Sequence, residues 1–332
     1  MLIISRTPVR ISLFGGGTDY PGYYSRHVGA VLGTTIDKYT HVSISTPGNY
    51  FDHRIRIGYS KTELVKTFDE IEHPSIRECL KLKNCDSNLD IHIFSDLPAK
   101  TGLGSSSSFT VGFLNALYAL RGMKVSKQVL AEEACFVEQE LIRENVGSQD
   151  QFHAAFGGVN VIEFNADNKQ IRPVIATPKR LKIFEEHLLL FYTGLTRYAS
   201  EILKEQMERT HSLTNDAYLK RMYEMVFIAE DIIAHEAEDT MMSSLGRLLD
   251  ESWSLKKQLS SKISNPIVDQ AYETAKQAGA YGGKLCGAGS GGFLALLVPP
   301  SRQDAVKAAL HNLMAVPVCF ENSGSTIIYM KD

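Results

Sequence analysis

Scarcity is the first information in this chain of 332 residues. Its five cysteines, Cys79, Cys85, Cys135, Cys286 and Cys319, form no CxxC pair and no His/Cys cluster. Neither a disulfide framework nor a zinc site of the usual spacing is expected, and the odd, dispersed count suits a reducing compartment. Lys and Arg are not clustered and the net charge is −3, which leaves no basic stripe for a phosphodiester backbone and argues against a nucleic-acid partner. No apolar run approaches the ~20 residues needed to cross a bilayer. The N-terminus lacks a basic region followed by an apolar stretch and a small-residue cleavage site. A cytoplasmic protein with no membrane partner is the expectation. Repeats and low-complexity linkers are missing too. So is the pattern Gly-x-x-x-x-Gly-Lys-Ser/Thr, which disfavours an ordinary P-loop nucleotidase.

What is present is a composition of 44% hydrophobic and 22% charged residues, enough for one large or two moderate domains with a buried core. Within it, the segment Pro98 to Ser108 reads Pro-Ala-Lys-Thr-Gly-Leu-Gly-Ser-Ser-Ser-Ser and runs directly into the apolar stretch Phe109 to Leu120. Glycines let a backbone bend close to a ligand, hydroxyls offer hydrogen bonds or metal ligands, and a helix behind them presents unpaired N–H groups to an anion. Phe109, Val111, Phe113, Leu114, Leu117, Tyr118 and Leu120 recur at a spacing nearer three and four than two, so a buried helix should begin among the serines. A serine-capped helix without any ligand is the competing reading of this segment.

Two further glycine-rich segments weigh against it. Arg6 to Asp19 ends in Phe-Gly-Gly-Gly-Thr-Asp after Val9, Ile11 and Leu13, which alternate as a half-buried strand. Lys284 to Phe293 reads Lys-Leu-Cys-Gly-Ala-Gly-Ser-Gly-Gly-Phe and precedes the apolar strand Leu294 to Val298. Three such loops, each attached to a regular element, are better explained as walls of one site for an anionic ligand than as separate turns. Cys286 sits in the third loop without an evident neighbouring base, which favours a small packing residue over a nucleophile.

The remaining pattern is α/β of the α+β type. Strand-like runs occur at Val42 and Ile44, at Ile91 and Ile93, at Val159 to Ile162 and at Leu188 to Tyr192, and a helix is expected over Lys127 to Glu144. From about residue 197 to Gly279 the chain reads as helical: Ala199 to Gln206, Tyr218 to Ala237, Leu245 to Leu259, and a helix with Asn265 as cap, Pro266 at its first position and Gly279 past its end. Ala305 to Leu313 follows as a helix, with Ser301 and Asp304 at capping-box spacing, and Thr326 to Met330 as a strand. Pro178 and a mixed-charge segment suggest two domains, residues 1–185 and 186–332.

In order and separation the three glycine-rich segments resemble the motifs of the GHMP small-molecule kinases, the superfamily of galactokinase, homoserine kinase, mevalonate kinase and phosphomevalonate kinase. The resemblance covers nearly the whole chain. The wording from Pro8 to Pro21 and the segment Tyr192 to Gln206 look most like the branch that phosphorylates the anomeric hydroxyl of D-glycero-D-manno-heptose 7-phosphate to the 1,7-bisphosphate. The resemblance implies a two-domain fold, with a mixed-sheet N-terminal ATP-binding domain and a helix-rich C-terminal domain. It also implies ATP as co-substrate, Mg²⁺ as cofactor, and a role in making sugars for surface polysaccharide. Another sugar 1-kinase, such as a fucokinase-like enzyme, is the alternative, and a non-catalytic sugar-sensing relative is a more distant one.

The same resemblance assigns residues. Pro98, Lys100, Thr101, Gly102, Leu103, Gly104, Ser105, Ser106, Ser107 and Ser108 form the nucleotide segment. Asp150, in Gly-Ser-Gln-Asp-Gln, matches the catalytic aspartate, with capping of the next turn as the plainer reading. Arg10 stands where the family has a Lys or Arg near that aspartate. Glu138, twelve residues before Asp150, matches the metal-binding glutamate of sugar-kinase relatives. Glu133 has apolar helical neighbours as well, so the periodicity alone does not choose between the two. Ser106 is the expected second metal ligand, and Ser105 or Ser107 can exchange roles with it within the run of four. Gly16, Gly17, Thr18 and Asp19 are expected at the sugar, with Asp19 accepting from two hydroxyls or capping the next helix. Gly287 and Gly289 join the substrate set. Galactokinase carries Glu-His where this chain has Gly16 and Gly17, which opens room at the sugar. The cations available for a substrate phosphate are Arg197, Lys100, Arg54 and Arg56. For assembly, a homodimer through the helix-rich half and completion of its own core both stay open.

Overall fold

The computed structural model describes residues 1–331 apart from Asp86, residues 196–204, His211 and Ala288. Two sheets organise them. In the larger, β1 (Leu2–Phe14) and β2 (Gly29–Ser45) pair antiparallel along most of their length, joined through the glycine trio and the short helix α1 (Pro21–Tyr24). Because β2 runs for 17 residues, its far edge takes two partners in succession: Thr40–Ser45 pair with β5 (Leu89–Ser95), and Gly29–Thr34 with β6 (Val159–Phe164). β3 (Ile55–Gly58) joins β5 in parallel and β4 (Thr62–Val65) in antiparallel pairing, while β7 (Lys169–Pro173) continues from β6. The C-terminal β12 (Thr326–Lys331) returns to the open edge of β1. The result is a mixed eight-stranded sheet. Pro8, which cannot donate to a ladder, lies where the β1–β2 register slips, a position that tolerates it.

The smaller sheet is wholly antiparallel, in the order β11 (Met314–Val316), β8 (Leu188–Tyr192), β10 (Phe293–Leu297), β9 (Gly282–Leu285). Helices α2 (Pro74–Leu82), α3 (Ser105–Leu120), α4 (Lys127–Phe136) and α5 (Gln149–Phe156) share one hydrophobic core with β2, β3 and β5. A second core joins β1 and β2 to the helices Asp216–His235 and Glu238–Gln258. The helix α6 (Pro178–His187), capped by the Thr177 hydroxyl, leads into β8.

These two cores correct the half-buried expectation for the first strand. Val9, Ile11 and Leu13 pack into the second core, but Arg10 and Ser12 on the opposite face are also buried, because the glycine-serine segment and α5 cover them. Alternation here separates an apolar face from the site rather than from water. The helix expected over 127–144 ends at Phe136 and passes into a π-helical turn, Val137–Leu141, closed by the Ile142 N–H donating to the Val137 carbonyl. The last helix, Gln303–Ala309, follows a 3₁₀ turn with Arg302 as cap and no side-chain capping bond, so the Ser301/Asp304 box does not form. The helix expected at Ala199–Gln206 lies almost entirely outside the described residues.

By contrast, Pro266–Ala278 has the caps that its sequence announces. Asn265 Oδ1 accepts from the N–H groups of Ile267 (3.0 Å) and Val268 (3.1 Å), and Gly279 closes the helix at φ +117°. Asn265 Nδ2 also donates to the Ser290 carbonyl at 3.1 Å, which ties this helix start to the third glycine-rich loop. Asn265→Ala is therefore expected to cost about 1–2 kcal/mol of stability, read as a lower urea midpoint with an unchanged slope. An unmoved midpoint would show that the cap contributes nothing.

Candidate active site

The three glycine-rich loops close around one cavity of ≈ 620 Å³. Their contact is possible because side chains are missing where the loops cross. Gly102 (φ +83°) and Gly287 (φ +82°) lie backbone to backbone: a Cβ on Gly102 would stand 2.3 Å from the Cys286 carbonyl oxygen, and one on Gly287 2.4 Å from the Gly102 Cα. Gly104 caps α3 in the left-handed region with no side-chain capping bond. The serine-cap reading thus falls away, and the first N–H groups of this 16-residue helix stay available to an anion.

Arg10 ties the loop to the acid. Its backbone N–H donates to the Leu103 carbonyl (2.9 Å), its side chain to the Gly102 carbonyl (2.7 Å), and its Nε and second terminal nitrogen to Asp150 Oδ1 (2.8 and 2.6 Å). Arg10 is only 5% exposed. Asp150 occupies the first turn of α5 and faces the cavity. Burial pushes its carboxyl pKa up, and the Arg10 guanidinium opposes that rise.

Asp19 is fixed beside it. Its Oδ1 accepts from the Gly17 N–H (2.9 Å), its Oδ2 from Gln149 Nε2 (2.8 Å), and its carbonyl from the Ser148 N–H (2.9 Å). It does not cap α1, whose cap is Tyr20. Thr18, expected at the sugar, is turned inward: its hydroxyl accepts from the Ala30 N–H (3.0 Å) and bonds the Gly15 and Ala30 carbonyls (both 2.8 Å), holding the glycine turn against β2.

Glu138 lies under the loop, 1% exposed. Its Oε2 accepts from Ser107 Oγ (2.8 Å) and Gln151 Nε2 (2.6 Å), while Oε1 is buried without a partner. Burial pushes its carboxyl up to about 7, against the pull of the Thr110, Ser107 and Gln151 side chains. An orphaned carboxylate oxygen beside serine hydroxyls suits a hard, oxygen-seeking cation. Among the described residues no group of three or more His, Cys, Asp or Glu could hold a metal alone, so such an ion would need phosphate and water to complete its shell. Glu133, the rival acid, is instead engaged by Lys83 (2.6 Å) and the Tyr118 hydroxyl (2.7 Å).

Of the expected nucleotide residues, Lys100, Gly102, Gly104, Ser105 and Ser106 line the cavity. Leu103 is core, Thr101 bonds the Pro98 carbonyl, Ser107 bonds Glu138, and Ser108 donates to the Thr7 carbonyl. These four, with Pro98, shape the loop from behind rather than facing the cavity. Gly16, Gly17, Asp19, Gly287 and Gly289 line it as well. Arg54 and Arg56 do not, and Arg56 is paired with Asp90. Arg197 falls outside the described residues. Among the cavity residues that carried no assignment from the sequence are Gln149, Glu144, Lys256 and Lys284. Lys284 heads the third glycine segment and Gln149 adjoins Asp150, so proximity to a motif was a usable signal for both; Lys256, in a helix far from any motif, offered none.

Two family descriptions match the chain: the GHMP kinases N terminal domain over residues 64–158 and the GHMP kinases C terminal domain over residues 233–316. A Campylobacter jejuni protein named D-glycero-alpha-D-manno-heptose 7-phosphate kinase is 29% identical over 92% of this chain and 92% of its own length. The Bacteroides fragilis L-fucokinase/L-fucose-1-P guanylyltransferase is 28% identical over 92% of this chain, which spans 35% of that protein. The crystal structure of a D-glycero-D-manno-heptose 1-phosphate kinase from Bacteroides thetaiotaomicron has a TM-score of 0.79, covering 99% of this chain and 100% of that one at 22% identity, a likeness of fold.

The crossing of the two loops generates a stability prediction. Gly102→Ala meets both an unfavourable φ and a 2.3 Å approach to backbone, which should cost about 1–3 kcal/mol in chemical denaturation. An unchanged midpoint would mean that the loops do not cross in this way.

Proposed function

Starting from a chain that belongs to the GHMP kinase family and is a sugar kinase within it, we propose that it transfers the terminal phosphoryl group of ATP to the anomeric hydroxyl of D-glycero-D-manno-heptose 7-phosphate, yielding the 1,7-bisphosphate. The observation that carries this reading is the Arg10–Asp150 pair, facing a cavity whose walls are the three glycine-rich loops. In this assignment residues 1–185 form the ATP-binding domain and 186–332 the second domain, whose last strand returns to the edge of β1.

The nucleotide's phosphates lie along Gly102 to Ser106, where backbone N–H groups and hydroxyls replace their water. The base and ribose extend along the aromatic part of the lining, where the Tyr59, His73 and Phe109 rings contact one another in sequence. Asp150 accepts the proton of the anomeric hydroxyl as that oxygen bonds to the terminal phosphorus; the bond to the bridging oxygen breaks, ADP leaves with the electron pair, and Asp150 returns the proton to water. Arg10 orients Asp150 and balances charge beside the transfer. Glu138 with the serines, Ser106 first, would hold Mg²⁺, which supplies neutralisation of phosphate charge when bound. Asp19 accepts from sugar hydroxyls, and the bare backbone at Gly16 and Gly17 leaves room for the ring.

Purified protein supplied with ATP and a panel of sugars and sugar phosphates should turn over the heptose 7-phosphate fastest, and Asp150→Asn should lower kcat by about 10³-fold while melting normally. Strong turnover of fucose with none of the heptose phosphate would reject the substrate, and full activity in Asp150→Asn would reject the base.

The direction of the Asp150 shift yields a second expectation. Falling pH protonates this carboxyl, so kcat/KM declines on the acid side, with a midpoint above that of an ordinary aspartate because burial raises it. Arg10 is the group that lowers it, so Arg10→Met should move the acid limb of the residual activity to higher pH. A limb left in place by that substitution would separate Arg10 from the titrating acid.

A further inference from the structure

Two buried lysines line the cavity without a role in the chemistry assigned above. Lys256 sits in the last turn of the helix Glu238–Gln258 and is 6% exposed; Lys284 sits on β9 and is 4% exposed. Lys256 Nζ donates to the Gly16 carbonyl and to Gln206 Oε1, both at 3.3 Å. Lys284 Nζ donates to the Leu13 carbonyl at 3.2 Å and to nothing else among the described residues. Every one of these acceptors is neutral. An ammonium has three donors, so Lys284 holds two unused in a place shielded from water. The nearby carboxylate, Asp19, is already engaged by Gly17 and Gln149.

Keeping side by side in a buried wall two cations that have no carboxylate partner among the described residues opposes folding, and methionine or leucine would fill the same volume without that cost. Burial pushes the Lys256 ammonium down to about 8 and that of Lys284 to about 7, with their mutual repulsion adding to the second. The arrangement makes sense only when an anion shares the space. A phosphate dianion offers several strong acceptors at once and restores both charges.

Position distinguishes which phosphate. A side chain on Gly104 would stand 3.0 Å from Asp150 Oδ2, so that face of the acid looks towards the nucleotide loop. A side chain on Gly16 would stand 3.9 Å from both Lys284 Nζ and Gln149 Nε2, and Lys256 Nζ donates to the Gly16 carbonyl, so both lysines gather at Gly16, in the loop assigned to the acceptor. Resting on the sugar-kinase reading above, we propose that Lys256 and Lys284 are the receptor for the non-transferring phosphate of the acceptor, which makes the enzyme select a sugar phosphate over the bare sugar.

Lys284→Met and Lys256→Met should fold, since each replaces a buried cation by an apolar chain of similar length. With the full-length protein, each is expected to lower the preference for heptose 7-phosphate over unphosphorylated heptose by about 10- to 100-fold, with the loss in KM for the sugar phosphate rather than in kcat. Equal loss on both sugars, or a fall confined to kcat, would overturn the proposal and move the lysines to the transferring phosphoryl group. A readout without turnover separates this from the substrate assignment: inorganic phosphate should raise the melting temperature of the wild-type protein and raise it less in either variant. If the wild type ignores heptose 7-phosphate yet shows that pattern, the heptose reading fails while the receptor stands. If phosphate shifts all three proteins equally, the receptor fails.

Discussion

A single buried guanidinium holds this site in register. Arg10 bonds the Gly102 carbonyl and the Asp150 carboxylate at once, and its own backbone is tied to Leu103. Three stretches far apart in sequence, the first strand, the glycine-serine loop and α5, therefore meet at one side chain. A lysine has the charge but not the planar fork needed to serve two acceptors in fixed directions. The surrounding geometry follows from the same demand. The loop must pass close enough for its carbonyl to be reached, and Gly102 and Gly287 allow that approach by having no side chains where they cross.

Electrostatics give the cavity its character. Arg10, Lys256 and Lys284 bring positive charge into a space that shares Asp19 and Asp150, all of it largely withdrawn from water. Arg10 is paired with Asp150; Lys256 and Lys284 face neutral carbonyls and an amide among the described residues. Protein interiors do not keep such imbalance for stability. On the proposed reading, anionic ligands on both sides of Asp150 relieve it, donor and acceptor each carrying phosphate.

Legibility in the sequence tracked how local each cause was. The helix Pro266–Ala278 was readable from end to end, because cap, proline and terminal glycine act within a few residues of one another. The start of α3 among the serines was readable for the same reason, although Gly104 rather than a serine occupies the cap. The loop's division of labour was not. Ser107 and Ser108 look identical to Ser105 and Ser106 in sequence, yet one pair turns to Glu138 and Thr7 while the other faces the cavity. That choice depends on helical phase relative to neighbours far along the chain. The π-helical turn at Val137–Leu141 was equally hidden, since its residues are ordinary helix formers and only packing selects the wider winding.

The amino-acid sequence by itself determined which segments could approach a phosphate, because glycine and serine confer that ability wherever they stand, and it determined the alternation that sends Val9, Ile11 and Leu13 one way and Arg10 the other. Tertiary structure alone decided that both faces of that strand are buried, that Thr18 braces a turn instead of facing the cavity, and that Lys256 and Lys284 arrive together behind Gly16. Those outcomes rest on which distant surfaces exclude water from one another. No window of neighbouring residues contains that information.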